Sequence, residues 1–253
     1  MADRRAGAAW RVAIGTGAAF MILGLSVVAL LEPAYIHATL DAAGSAAILR
    51  LDPQATHAVS DRTIGELVFG PATFAFRAVP GGPLFYDASE ESHLRDASNL
   101  LHLFLAVVLA GCGLLAVGLT RYRRDAGAWH AVRVGAAVLA ASFAFIGLFF
   151  AVAFDTAFTL FHEVFFPQGN WEFNSATERM VQLYPTLFWE LIAMTLTLLV
   201  LALCGLVWLL ATLRTRSLAH SDVGAARARA ESGTATGPGE EGGRPAPIRE
   251  DGR

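Results

Sequence analysis

The chain contains no lysine, so all nineteen of its basic residues are arginines. It has only two cysteines in 253 residues, Cys112 and Cys204, and both fall inside long apolar runs. That placement excludes a disulfide framework, a cysteine-rich zinc cluster and a water-exposed thiol nucleophile. No HExxH motif is present to hold a metal and no G-x-S-x-G elbow to raise a nucleophilic serine, so neither a metal nor a cofactor is expected. Charge is also scarce, with 16% charged residues against 55% hydrophobic and a mean hydropathy of +0.48. With a formal net charge of −3, no nucleic-acid partner is expected. A chain this apolar has lipid as its expected solvent.

About 20 apolar residues are needed to cross the roughly 30 Å of bilayer hydrocarbon. Four runs qualify, at 12–31, 98–120, 134–154 and 185–213. The predicted fold is therefore an all-α integral membrane protein with four transmembrane helices and a small extracytoplasmic cap. The first run lacks the small-residue cleavage pattern of a removable signal peptide and is expected to remain as a span. Arg4, Arg5 and Arg11 precede the first span, Arg121, Arg123, Arg124 and Arg133 separate the second from the third, and Arg214 and Arg216 follow the fourth. Arginine-rich short loops stay on the cytoplasmic side, which places 1–11, 121–133 and 214–253 there and both chain ends with them. The segments 32–97 and 155–184 fall outside. From Ser217 onward the chain turns to Ala, Gly, Arg, Glu and Pro and reads as a disordered tail. No internal repeat is evident. Leu109-Ala110-Gly111-Cys112 spells a lipidation box but lies mid-chain within a span, where helix packing is the better reading.

Within the first outer segment, Ser60 and Asp61 followed by Ile64, Leu67 and Val68 predict a short capped helix, and Gly81-Gly82-Pro83 a turn. Asp87 with Glu90 three residues on is a capping-box pattern, so the second span's helix is expected to begin there, more than a turn above the lipid. That start puts His93 and Asp96 on one face near the water–lipid boundary. The third span's helix is expected to leave the lipid near Asp155 and continue to Pro167, carrying a polar stripe of Asp155, Thr159 and His162. Gly169 to Phe173 then forms a turn, and a short amphipathic piece leads to Tyr184-Pro185.

Topology sorts the seven histidines. His130 and His220 are cytoplasmic. His37 and His57, each four residues before an aspartate (Asp41 and Asp61), read as solvated or packed side chains, and His102 as an interfacial structural residue. His93 and His162 share one depth and one side, each with a carboxylate on its own helix face. Such a pair can serve as base and acid near neutral pH, with Asp96 and Asp155 orienting the rings. Two plainer alternatives stay open: a pair of hydrogen-bonded interface anchors, and a zinc site using the nearby carboxylates.

The stretches Glu91-Ser92-His93-Leu94-Arg95-Asp96, Phe161-His162-Glu163-Val164-Phe165-Phe166, Trp171-Glu172-Phe173 and Tyr184-Pro185-Thr186-Leu187-Phe188-Trp189 together resemble the signature of a family of bacterial four-span proteins, the lipoprotein intramolecular transacylases. The resemblance runs from about Trp10 to Arg216. It implies an enzyme of the bacterial plasma membrane that acts on a diacylated lipoprotein among membrane lipids. The reaction it implies moves the sn-2 acyl chain of the diacylglyceryl group onto the α-amino group of the same cysteine, giving the lyso form. The resemblance also implies that His93 and His162 stand where the family has its functional histidines. Glu91 is read as a supporting residue, and Arg95, Trp171 and Tyr184 as facing substrate. Two other readings remain, a phospholipid acyl hydrolase or transferase on the same scaffold and a non-enzymatic membrane subunit whose histidines sense pH.

Overall fold

The computed structural model describes residues 2–234, all-helical in its regular structure. Nine helices are present among these residues: α1 (Ala2–Leu30), α2 (Pro33–Ala43), α3 (Ser45–Leu49), α4 (Pro53–Phe69), α5 (Ala88–Tyr122), α6 (Ala126–Val152), α7 (Phe154–Phe165), α8 (Arg179–Leu183) and α9 (Thr186–Thr234). Four of them, α1, α5, α6 and α9, are long and apolar enough to cross a membrane. Helix α1 packs against the other three, and α6 lies along α9. The α1–α6 crossing is so close that a methyl group at Gly135 would run into the backbone of Gly15, the small-residue contact that lets helices associate where water supplies no hydrophobic drive.

The cap is built from α2, α3, α4 and α8 with the irregular chain between α4 and α5. Phe74, Phe76, Phe85 and Tyr86 from that chain pack with Ile36, Leu40, Val59 and Leu183 into one core that reaches Phe188 on α9. Buried polar groups pin it. Glu90, 1% exposed, accepts from the Met180 N–H at 2.6 Å and from the Asp87 N–H at 2.9 Å, tying the head of α5 to α8. Burial raises the pKa of its carboxyl. Glu66 closes the far end of α4 onto the Phe74 N–H and the Thr73 hydroxyl. Burial pushes its pKa up, but those bonds and Arg62 together outweigh it and leave the carboxyl below its ordinary value. The hydroxyl of Ser98 donates to the Leu67 carbonyl (2.9 Å), and His102 Nε2 lies 3.1 Å from that of Val68. The open C-terminal carbonyls of α4 thereby dock on α5, giving His102 its structural task.

Several expectations change in detail. The helix expected at Ser60 is the middle of α4, which starts two turns earlier because Asp52 caps it and Pro53 takes the first helical position. Ser60 is buried against Tyr184 rather than capping. Helix α2 starts the same way, with Glu32 as cap and Pro33 first. These starts reveal a short repeat, an acidic residue and proline followed by histidine and aspartate at equal spacing (Glu32-Pro33, His37, Asp41; Asp52-Pro53, His57, Asp61). The third span's helix does not run on unbroken. Ala153 leaves the helical region (φ −141°, ψ 58°) between α6 and α7, and α7 then ends at Phe165 before Pro167. Beyond Arg216 the chain is helical to Thr234 instead of disordered, because alanine- and arginine-rich sequence extends a helix that is already nucleated. The rest of the expected tail, 235–253, lies outside the described residues.

Candidate active site

The Asp87–Glu90 capping box forms as expected and starts α5 well before its apolar stretch. At 1.5 Å per residue, 35 residues make about 52 Å of helix against roughly 30 Å of hydrocarbon. The charged turns from Ala88 to Ala97 therefore stand above the apolar run and hold His93 inside the cap. Helix α7 brings His162 to the same place. The two rings are 5.9 Å apart between centroids and inclined by 26°, and they are only 7% and 8% exposed.

Aromatic side chains wall the pair. Phe166 sits 4.6 Å from the His93 ring and 5.5 Å from that of His162, Phe173 lies 5.6 Å from His93, and Phe158 and Trp171 lie 4.1 and 5.0 Å from His162. Removing water from an imidazole disfavours its charged form. Burial, reinforced by His162, pulls the His93 pKa down to about 4 even though Asn170 and Asp96 act in the other direction. Burial lowers His162 as well, opposed by its bond to the Phe158 carbonyl. Both rings are thus neutral at pH 7. His162 Nδ1–H donates to Phe158 O at 2.8 Å, which leaves Nε2 with its lone pair.

The expected supporting residues are arranged differently from the sequence picture. Asp96 accepts from Gln168 Nε2 and from Asn170 Nδ2, each at 2.8 Å, and makes no hydrogen bond to His93 among the described residues. Asp155 is exposed and unbonded to His162, whose tautomer is held by a carbonyl of its own helix. Thr159 is exposed too, so the stripe does not enter the site as a unit. Glu91 pairs with Arg95 at 3.6 Å on a partly exposed face of α5. Trp171 packs against His162 with the two rings tilted by 36°, within reach of whatever enters beside that ring. Tyr184 does not face an open site. It is 7% exposed, packs in the cap core and is 3.0 Å from Ser60 Oγ through its hydroxyl, so its place is structural.

The sequence reading missed Asn170, Gln168 and the walls made by Phe166 and Phe173. Gly169 was the available signal. Its positive φ of 77° makes the tight turn after Phe166 that swings the next residue, Asn170, back over α5. No group of three metal-binding side chains gathers among the described residues. Asp96, the carboxylate on the His93 face, is already engaged by two amides.

Four long apolar helices, a polar cap and a buried histidine pair where they meet define a membrane-integral protein with a site at the lipid boundary. The family model for lipoprotein intramolecular transacylase Lit matches residues 48–189, over half of the chain, and the chain belongs to that family. Among solved structures it is similar to the membrane-integral lipoprotein intramolecular transacylase Lit from Bacillus cereus, with a TM-score of 0.68 and 16% identity, covering 84% of this chain and 95% of that one. Two further structures of the Bacillus cereus protein carry a histidine replaced by arginine or by alanine. They match at TM-scores of 0.68 and 0.66, each at 16% identity, covering 87% and 85% of this chain and 96% of theirs. At that identity the likeness is one of fold. No curated protein matches by sequence.

Proposed function

We propose that this protein is a lipoprotein intramolecular transacylase that moves the sn-2 acyl chain of a diacylglyceryl-cysteine onto the α-amino group of that cysteine. The observation that carries the reading is the His93–His162 pair, two neutral imidazoles side by side in a buried aromatic enclosure at the head of a membrane helix. Amine and ester belong to one substrate molecule, so positioning replaces a protein nucleophile. The protein must handle protons. One imidazole takes a proton from the incoming α-ammonium, and the freed amine attacks the sn-2 carbonyl carbon. The other imidazole takes the second proton from the nitrogen as the C–N bond forms. The first returns its proton to the departing glyceryl oxygen as the C–O bond breaks. An amide and a free sn-2 hydroxyl result, with one proton released to solvent. The lowered pKa values suit this cycle, since neither ring holds a proton that would block its role as base at neutral pH.

The rest of the reading concerns placement. The three arginine clusters support cytoplasmic ends, with the cap and the histidine pair on the outer face of the plasma membrane. Exposed Phe161, Val164 and Phe165 on α7 suit contact with acyl chains beside the site. Arg95 and Trp171 are the residues we place toward the substrate's glyceryl region, with Glu91 holding Arg95. Full-length protein in nanodiscs, incubated with a synthetic diacylated lipopeptide and a chelator and read by mass spectrometry, tests the reading. The expected product has unchanged mass, with one acyl chain moved from glycerol to nitrogen. Free fatty acid, acyl transfer from bulk phospholipid, or activity that appears only when zinc is restored would contradict it.

A further inference from the structure

Two buried polar atoms at the site have no hydrogen-bond partner among the described residues, His93 Nδ1 and Asn170 Oδ1. They belong to neighbouring side chains, since the Asn170 amide acts on the His93 imidazole as a hydrogen-bonding group. The amide is also oriented. Its Nδ2 donates to Asp96 Oδ2 at 2.8 Å and to Ser92 Oγ at 3.3 Å, which uses both of its N–H groups. An ionised carboxylate can only accept, so Asp96 decides which end of the amide is nitrogen. The other end, Oδ1, is then an acceptor, and an acceptor beside a ring nitrogen calls for a proton on that nitrogen. Gln168 Nε2 donates to the same Asp96 oxygen at 2.8 Å and holds the carboxylate in place.

We infer that Asn170 is the positioning residue of His93, its Oδ1 accepting the Nδ1 proton so that Nε2 presents its lone pair to substrate. The inference rests on the reading that His93 handles the substrate's protons. It replaces the direct aspartate–histidine contact expected from sequence with a relay in which Asp96 orients the amide and the amide orients the ring. It also makes the two imidazoles equivalent, because His162 is held in the same tautomer by the Phe158 carbonyl. With both N–H groups of Asn170 spent, the amide has none left for an oxyanion, which separates this role from transition-state stabilisation. Each atom is costly to leave buried without a partner, and pairing the two with each other would satisfy both.

The test is the protonation pattern of the ring, read by ¹⁵N NMR on full-length, ¹⁵N-histidine-labelled protein in nanodiscs at neutral pH, with the His93 signals assigned by their loss in His93→Ala. Wild type is expected to show His93 protonated at Nδ1 and bare at Nε2. Asn170→Ala should show a mixture of tautomers, with kcat down about tenfold to a hundredfold, the range seen when an outer partner that orients a histidine is removed, and KM little changed. Asp96→Asn lets the amide flip and should also give mixed tautomers, which keeps the test available if the alanine variant does not fold. A wild-type His93 protonated at Nε2 overturns the assignment. So does an Asn170→Ala protein whose kcat stays within about twofold of wild type, since a mere loop staple predicts that. The tautomer is read without turnover, so failure of the proposed reaction would show separately, as missing lyso product beside an intact Nδ1–H signal.

Discussion

The protein holds two histidine pairs, and they are built on opposite plans. His37 and His57 stack face to face, 4.2 Å apart and within 3° of parallel, between α2 and α4. Each bonds the aspartate of the other helix, His37 to Asp61 at 2.7 Å and His57 to Asp41 at 2.8 Å, and both rings remain partly open to water. Every Nε2 there is occupied. His93 and His162 stand farther apart, have aromatic rings where the first pair has carboxylates, and are bonded at most through Nδ1. The first arrangement ties two cap helices together. The second leaves proton-accepting nitrogens unspent in a largely buried place. What separates the clasp from the pair we propose as the reaction centre is the engagement of Nε2, and proximity of two histidines does not by itself distinguish them.

The largest effect that could break this contrast concerns the second pair. His93→Ala and His162→Ala should each lower the rate of lyso-form production by about 10²–10⁴, the usual contribution of an acid–base group, with the protein still inserted and folded. Glu90→Ala tests the frame that holds His93. It leaves the Met180 and Asp87 N–H groups without their acceptor and should cost about 1–3 kcal/mol for each group that stays buried, seen as a lower unfolding midpoint, with lost activity following lost cap structure. A pH series sharpens the contrast further. His93 has its pKa lowered from 6.5 to about 4, so as the pH falls through that window the unfolded chain takes up the proton first and the fold loses stability. Stability attributable to this residue should be complete above pH 6.5 and decline toward pH 4, a slope that His93→Gln removes. The acid limb of the rate profile should lie below that of a solvent-exposed imidazole pair, because burial lowers the pKa of both rings from 6.5. The smallest effect belongs to the clasp. His37→Ala or His57→Ala should leave the rate within about twofold and cost about 1 kcal/mol of stability, as the loss of a partly exposed hydrogen bond does. A large loss of rate from either would mean that the clasp takes part in the chemistry.

Much of this was legible in local pattern. The four spans follow from run length, the start of α5 from Asp87 and Glu90, and the end of α7 from Pro167. The histidine pair follows from the depth at which those helix ends sit, and the four motifs together pointed to the family that the chain belongs to. What was hidden is nonlocal. Asp96 shares a helix face with His93, yet its partners arrive from a turn more than 70 residues on, which no spacing rule reveals. Tyr184 stands beside a proline at a membrane boundary, where a substrate contact is a fair expectation. Only the packed cap shows that Ser60, 124 residues earlier, lies against its hydroxyl. The crossed bonds of His37 and His57 are nonlocal in the same way, since each histidine has an aspartate four residues ahead and uses the one on the other helix. The helix past Arg216 was missed because composition alone weighs a segment without the helix that precedes it.

The most direct test of the central account is a double-mutant comparison at the second pair. If His93 and His162 run one proton cycle between them, removing the second after the first takes away nothing more, as with residues that act as a unit elsewhere. Initial rates of lyso-lipopeptide formation should be measured for His93→Ala, His162→Ala and the double variant, in nanodiscs with a chelator present. The predicted result is a double variant about as slow as the slower single one. Losses that multiply would contradict a shared cycle, and a single variant that keeps near-normal activity would return that histidine to the structural role of His37 and His57.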